Sequence, residues 1–75
     1  MEISMDRLKL GQQGVVKKID TDRHLKRRLA DFGVVPGTCV ACRYRTPGGG
    51  VTALEFRGTV LALRTRDMKK ICVRC

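Results

Sequence analysis

A chain of 75 residues has room for one domain, and a domain of that size buries only about 60% of the surface its unfolded form exposes, which argues against a self-contained enzyme with a deep substrate cavity. Sixteen Lys and Arg against seven Asp and Glu give a net charge of +9, yet the hydrophobic fraction of 43% is normal for a globular domain and too high for a disordered basic tail. The single histidine, His24, and the single serine, Ser4, leave too little for a Ser-His-Asp or Cys-His apparatus, so no catalytic residue is assigned.

The first segment, Met1-Glu2-Ile3-Ser4-Met5-Asp6, lacks the basic region followed by an apolar stretch that marks a signal peptide. No later apolar run approaches the roughly 18 residues that cross a bilayer. A cytoplasmic protein without membrane insertion is the expectation. Gly14 to Ile19 reads as a strand, although Val16 and Ile19 are three apart and require a bulge or strong twist. The period then changes. Leu25, Leu29 and Phe32 recur at i, i+4 and i+7, which is one face of an α-helix. Asp20, Thr21 or Asp22 can cap its start, and Gly33 suits the left-handed position past its end. Pro36-Gly37 fits the centre of a type II turn.

Alternation follows. Val40, Cys42 and Tyr44 share one strand face, and Leu54 and Phe56 share another. Arg57-Gly58 is a tight hairpin turn into Val60 to Leu63, where Leu61 and Leu63 continue the apolar face. Pro47 to Gly50 is a glycine-rich loop. In the last strand Ile71 and Val73 point one way, Cys72 and Arg74 the other. The sum is a mainly β chain of five or six short strands with one α-helix inserted after the second. A closed sheet that hides its edges makes a small β-barrel the expected architecture, with residues 1–75 as a single domain.

The run Arg28-Leu29-Ala30-Asp31-Phe32-Gly33-Val34-Val35-Pro36-Gly37, followed by Val40-x-Cys42, resembles a segment of the FeoA family. So do the preceding Leu8-Lys9-Leu10-Gly11-Gln12-Gln13-Gly14-Val15-Val16, the later Leu54-x-Phe56-x-Gly58-x-x-Leu61-Ala62-Leu63-Arg64, and Asp67-Met68 with Ile71-x-Val73. The resemblance spans about residues 5 to 73. It implies an SH3-like barrel and a cytoplasmic accessory of bacterial ferrous-iron uptake that regulates or assembles the membrane GTPase transporter FeoB. Iron-dependent repressors similar to the diphtheria toxin repressor carry the same barrel behind a DNA-binding domain. This chain begins at the barrel, which favours the stand-alone accessory.

Two features remain for a site. Cys39-Val-Ala-Cys42 and Cys72-Val-Arg-Cys75 are two C-x-x-C pairs, and on paper they form a four-cysteine set for zinc or another transition metal. Against this, an odd offset within a strand sends side chains to opposite faces. On that reading Cys42, and with it Cys75, fills core positions while Cys39 and Cys72 face outward. The metal role stays as the alternative, and Asp20, Asp22 and His24 form a weaker candidate cluster. The second feature is charge. Arg23, Lys26, Arg27 and Arg28 cluster on the helix, with Asp22 placed i, i+4 before Lys26. Arg43, Arg45, Lys69, Lys70 and Arg74 lie elsewhere. Partner binding is expected at Arg23, Lys26 and Arg27 together with Val34 and Val35 of the adjoining corner, whose Gly33 and Pro36 set fold geometry. Nucleic acid is the rival partner. It is disfavoured because single-strand binders use exposed aromatics, and Phe32, Tyr44 and Phe56 all fall at core-facing positions of their elements.

Overall fold

Both periods are realised in the computed structural model, which describes residues 1–75. The 3.6-residue period gives α1, Arg23–Phe32. The two-residue period gives β2 (Gln13–Ile19), β3 (Cys39–Arg45), β4 (Val51–Phe56), β5 (Thr59–Arg64) and β6 (Ile71–Arg74). A three-residue β1, Glu2–Ser4, precedes them. Two short elements have no counterpart in the sequence reading: a 3-10 turn at Met5–Arg7 and a four-residue helix α2 at Thr65–Met68. The helix α1 follows the second strand, as expected.

The six strands form one antiparallel sheet in the order β1-β6-β2-β3-β4-β5. Its curled inner face and α1 enclose fourteen buried apolar residues, among them Met5, Leu8, Leu29, Leu54, Met68 and Ile71. Two irregularities shape the curl. The β2–β6 register shifts between Val16 and Lys18, so Val16 and Ile19 both point inward despite their odd spacing. The β3–β4 register shifts between Cys42 and Tyr44. The barrel is not closed by hydrogen bonds, contrary to the expectation of hidden edges. β1 pairs only with β6 and β5 only with β4, leaving two free edges.

Local chemistry fixes the ends of the elements. Asp22 caps α1, its Oδ1 accepting from the Leu25 N–H at 2.8 Å. At the other end Gly33 adopts φ 99°, a left-handed value that a side chain resists. That reversal lets the Gly33 N–H reach the Ala30 carbonyl and the Val34 N–H reach the Leu29 carbonyl, at 3.0 and 2.8 Å. The Pro36-Gly37 turn closes with the Thr38 N–H on the Val35 carbonyl at 3.0 Å. The β4–β5 hairpin has two loop residues, Arg57 at φ 51° and Gly58 at φ 77°, the signs that a type I′ turn requires. Because Phe56 and Thr59 close this turn as partners, Thr59, Leu61 and Leu63 bond to β4. The polar backbone groups of Val60 and Ala62 point to the free edge.

Candidate partner-binding surface

Helix spacing places Arg23, Lys26 and Arg27 on the solvent side of α1, while Leu25 and Leu29 face the barrel. All three basic residues are exposed. None has an ion-pair partner, since the one salt bridge of the molecule joins Arg43 to Glu55 at 3.5 Å. The expected Asp22–Lys26 pair does not form, and the Asp22 carboxylate instead caps the helix. The face therefore presents basic groups free of direct ion pairs.

The corner after the helix divides. Val35, past the C-terminal end of α1, is 37% exposed, but Val34 is fully buried and cannot touch a partner. The Gly33 reversal turns Val34 into the core. The corner is then bonded to β2: the Gly37 N–H donates to the Val16 carbonyl at 2.7 Å, and the Val16 N–H to the Thr38 carbonyl at 2.8 Å. The buried Thr38 hydroxyl donates to the Gly33 carbonyl at 2.9 Å and accepts from the Val35 N–H at 3.2 Å. Gly33 and Pro36 thus set geometry, and of the two valines only Val35 is accessible.

The aromatics do not all lie inside. Phe56 is buried, but Phe32 is 50% and Tyr44 56% exposed. The register shift at Arg43 breaks the alternation after Cys42, so Tyr44 leaves the inner face. Phe32, the last residue of α1, faces the gap between α1 and β5 rather than the core. That gap is a groove of about 410 Å³, lined by Leu25, Phe32 and Leu61 among apolar residues and by Arg28, Arg64 and Arg66 among charged ones. Sequence reading missed it. Its one signal is that Thr59 to Leu63, within a strongly basic chain, carries no charge.

The four cysteines do not converge. Cys39 is exposed, Cys42 is buried, Cys72 is half-buried and Cys75 is exposed, all as free thiols. Strand alternation separates Cys39 from Cys42 as anticipated. Cys75 lies beyond β6 and outside the core, because its backbone is drawn to the N-terminus: its N–H donates to the Met1 carbonyl at 2.9 Å. The Cys72 thiol lies 3.8 Å from Glu2 Oε1, and the Cys75 thiol 3.8 Å from the Met1 carbonyl. No three His, Cys, Asp or Glu side chains gather in a way that could hold an ion. The four-cysteine set therefore does not assemble. Nor does the Asp20, Asp22 and His24 cluster, in which Asp22 serves as a cap and His24 lines the groove.

The comparisons with known proteins agree with this architecture. The family model described as FeoA domain matches residues 3–75. No curated protein sequence matches. The FeoA protein from Chlorobium tepidum superposes with a TM-score of 0.93 at 25% identity, over 96% of this chain and 69% of that one. FeoA from Stenotrophomonas maltophilia superposes at 0.82 with 27% identity, over 95% of this chain and 88% of that one. That protein was solved with zinc and is described as a procaryotic SH3 domain protein and a candidate activating factor of bacterial ferrous iron transport. A manganese-dependent transcriptional repressor shares the fold at 0.86 with 19% identity, over 97% of this chain and 41% of that one.

Proposed function

The chain belongs to the FeoA family, and from that premise we propose that it is a cytoplasmic accessory of bacterial ferrous-iron uptake that acts by contact with the FeoB membrane GTPase transporter. The observation that carries the reading is the family match across residues 3–75. The exposed, unpaired basic face of α1 supports contact as the means. Such a face steers association with an acidic partner and fixes orientation more than it adds affinity. The metal transported is cargo of the larger protein. On this chain no three His, Cys, Asp or Glu side chains gather to hold an ion, so the reading rests on contact.

Uptake of radiolabelled ferrous iron tests the role. Cells carrying the transporter are compared with and without this chain, and with a variant in which Arg23, Lys26 and Arg27 are all changed to Glu. The reading predicts that deleting the chain changes the uptake rate and that the charge-reversed variant does not restore it. Uptake indifferent to deletion would contradict it.

Nucleic acid is the second reading, favoured by the exposure of Phe32 and Tyr44 on a chain of net charge +9. Fluorescence anisotropy of short RNA and DNA separates the two. Attraction to phosphates alone collapses with salt, whereas binding with sequence preference at physiological salt would favour the nucleic-acid reading.

A further inference from the structure

β5 ends the sheet. It runs six residues, Thr59–Arg64, in unbroken register with β4. Soluble proteins normally blunt such an edge with a bulge, an inward charge or proline, a very short strand or a cover. β5 has none of these from Thr59 to Leu63. The other edge, β1, is three residues long. Along β5 the N–H and C=O groups of Val60 and Ala62 point away from β4, and no turn, loop or cap hydrogen bond reaches them. Val60 is 59% exposed and Ala62 is exposed. Beside this edge lies the groove whose far wall is α1, with Leu25, Leu61 and Phe32 in its lining.

We propose that the β5 edge is a strand-addition site that takes an extended, acidic and apolar segment of a protein partner into the groove between β5 and α1. Its backbone bonds to Val60 and Ala62, and its alternate side chains meet Phe32 and Leu61. In strand addition the main chain supplies affinity and the flanking pockets supply specificity. The charges select the occupant. Arg28, Arg64 and Arg66 line the groove without ion-pair partners. Of the two acids beside them, Asp22 is engaged in capping α1, which leaves Asp67. A second copy of the chain fits poorly. A two-fold antiparallel pairing through β5 would set Arg57 of each copy toward Arg64 of the other and join two bodies of net charge +9. An acidic strand meets the same edge with attraction. This mode rests on the contact role proposed above for who the partner is, but not for the chemistry of the edge.

The test uses labelled protein and three synthetic peptides: valine alternating with glutamate, valine alternating with lysine, and the glutamate peptide N-methylated at alternate amides. The glutamate peptide is expected to slow hydrogen exchange at the Val60 and Ala62 amides and to shift Phe32 and Leu61. The other two should do neither. Ala62→Pro, which removes an edge donor, should weaken the glutamate peptide by about tenfold or more. N-methylation makes the same deletion on the peptide and leaves the protein native. Equal binding of the methylated and unmethylated peptides would overturn the proposal, as would shifts confined to Arg23, Lys26 and Arg27 without protection at the edge, or no binding. A folded Ala62→Pro protein that still binds the transporter at full strength would remove this mode and leave docking intact. Edge protection by the peptide, with no contact between wild type and transporter, would remove the docking reading alone.

Discussion

Arg45 shows how far a single side chain can depart from its local reading. By sequence it is one more surface cation. In the structure its guanidinium donates to the Asp6 carbonyl at 2.7 Å and to the Leu8 carbonyl as well, tying β3 to the segment that joins β1 to β2. Hydrogen bonds from a charged donor contribute roughly 1.5–3 kcal/mol. Arg45→Ala is therefore expected to lower stability by about 2 kcal/mol, read as a fall in the urea midpoint. Arg45→Lys should recover only part, because an ammonium cannot spread two donors in one plane. A midpoint unchanged by Arg45→Ala would contradict this role. The cause of the misreading is the bulge at Arg43, which moves Tyr44 out and leaves Arg45 half-buried. A bulge is a property of two paired strands, and the pairing of β3 with β4 is not written in either segment. Val34 illustrates the same limit from the other side: two adjacent valines look equivalent, and only the left-handed Gly33 before them decides which is buried.

At the scale of elements, strong local signals were reliable. The period of α1, its capping aspartate and Gly33 all agree on one helix, and the Arg57-Gly58 turn fixes the β4–β5 register. Asp22→Ala should cost about 1 kcal/mol in thermal or urea unfolding, while Asp22→Asn, which keeps the accepting oxygen, should cost far less. Equal losses from both would show that the negative charge matters rather than the cap. Elements held by distant partners were not legible. β1 is three residues, and its pairing with β6 joins the two ends of the chain. α2 is too short to display a period. It packs through Met68, which is buried.

The whole molecule adds what no segment contains, the order of strands. That order leaves β5 at an edge and sets its apolar, uncharged run beside α1. The candidate surface was thus half legible. The basic residues of α1 follow from helical spacing, whereas the groove depends on which strand lacks a neighbour. The cysteines are scattered by two local causes: alternation along β3 parts Cys39 from Cys42, and Cys75 lies beyond β6, hydrogen-bonded to the N-terminus. Two C-x-x-C pairs that suggest one cluster therefore spread over core and surface. A body of net charge +9 with one ion pair carries its excess outward, where it acts on association more than on folding. The central claim, contact between this chain and the transporter, is met most directly by titrating isotope-labelled protein with the soluble cytoplasmic domain of FeoB and with whole FeoB. The account predicts saturable shifts on the exposed face of α1 and at Val35. Binding should weaken by about tenfold at low salt when Arg23, Lys26 and Arg27 are reversed to Glu. No shift with either form of the transporter would contradict it.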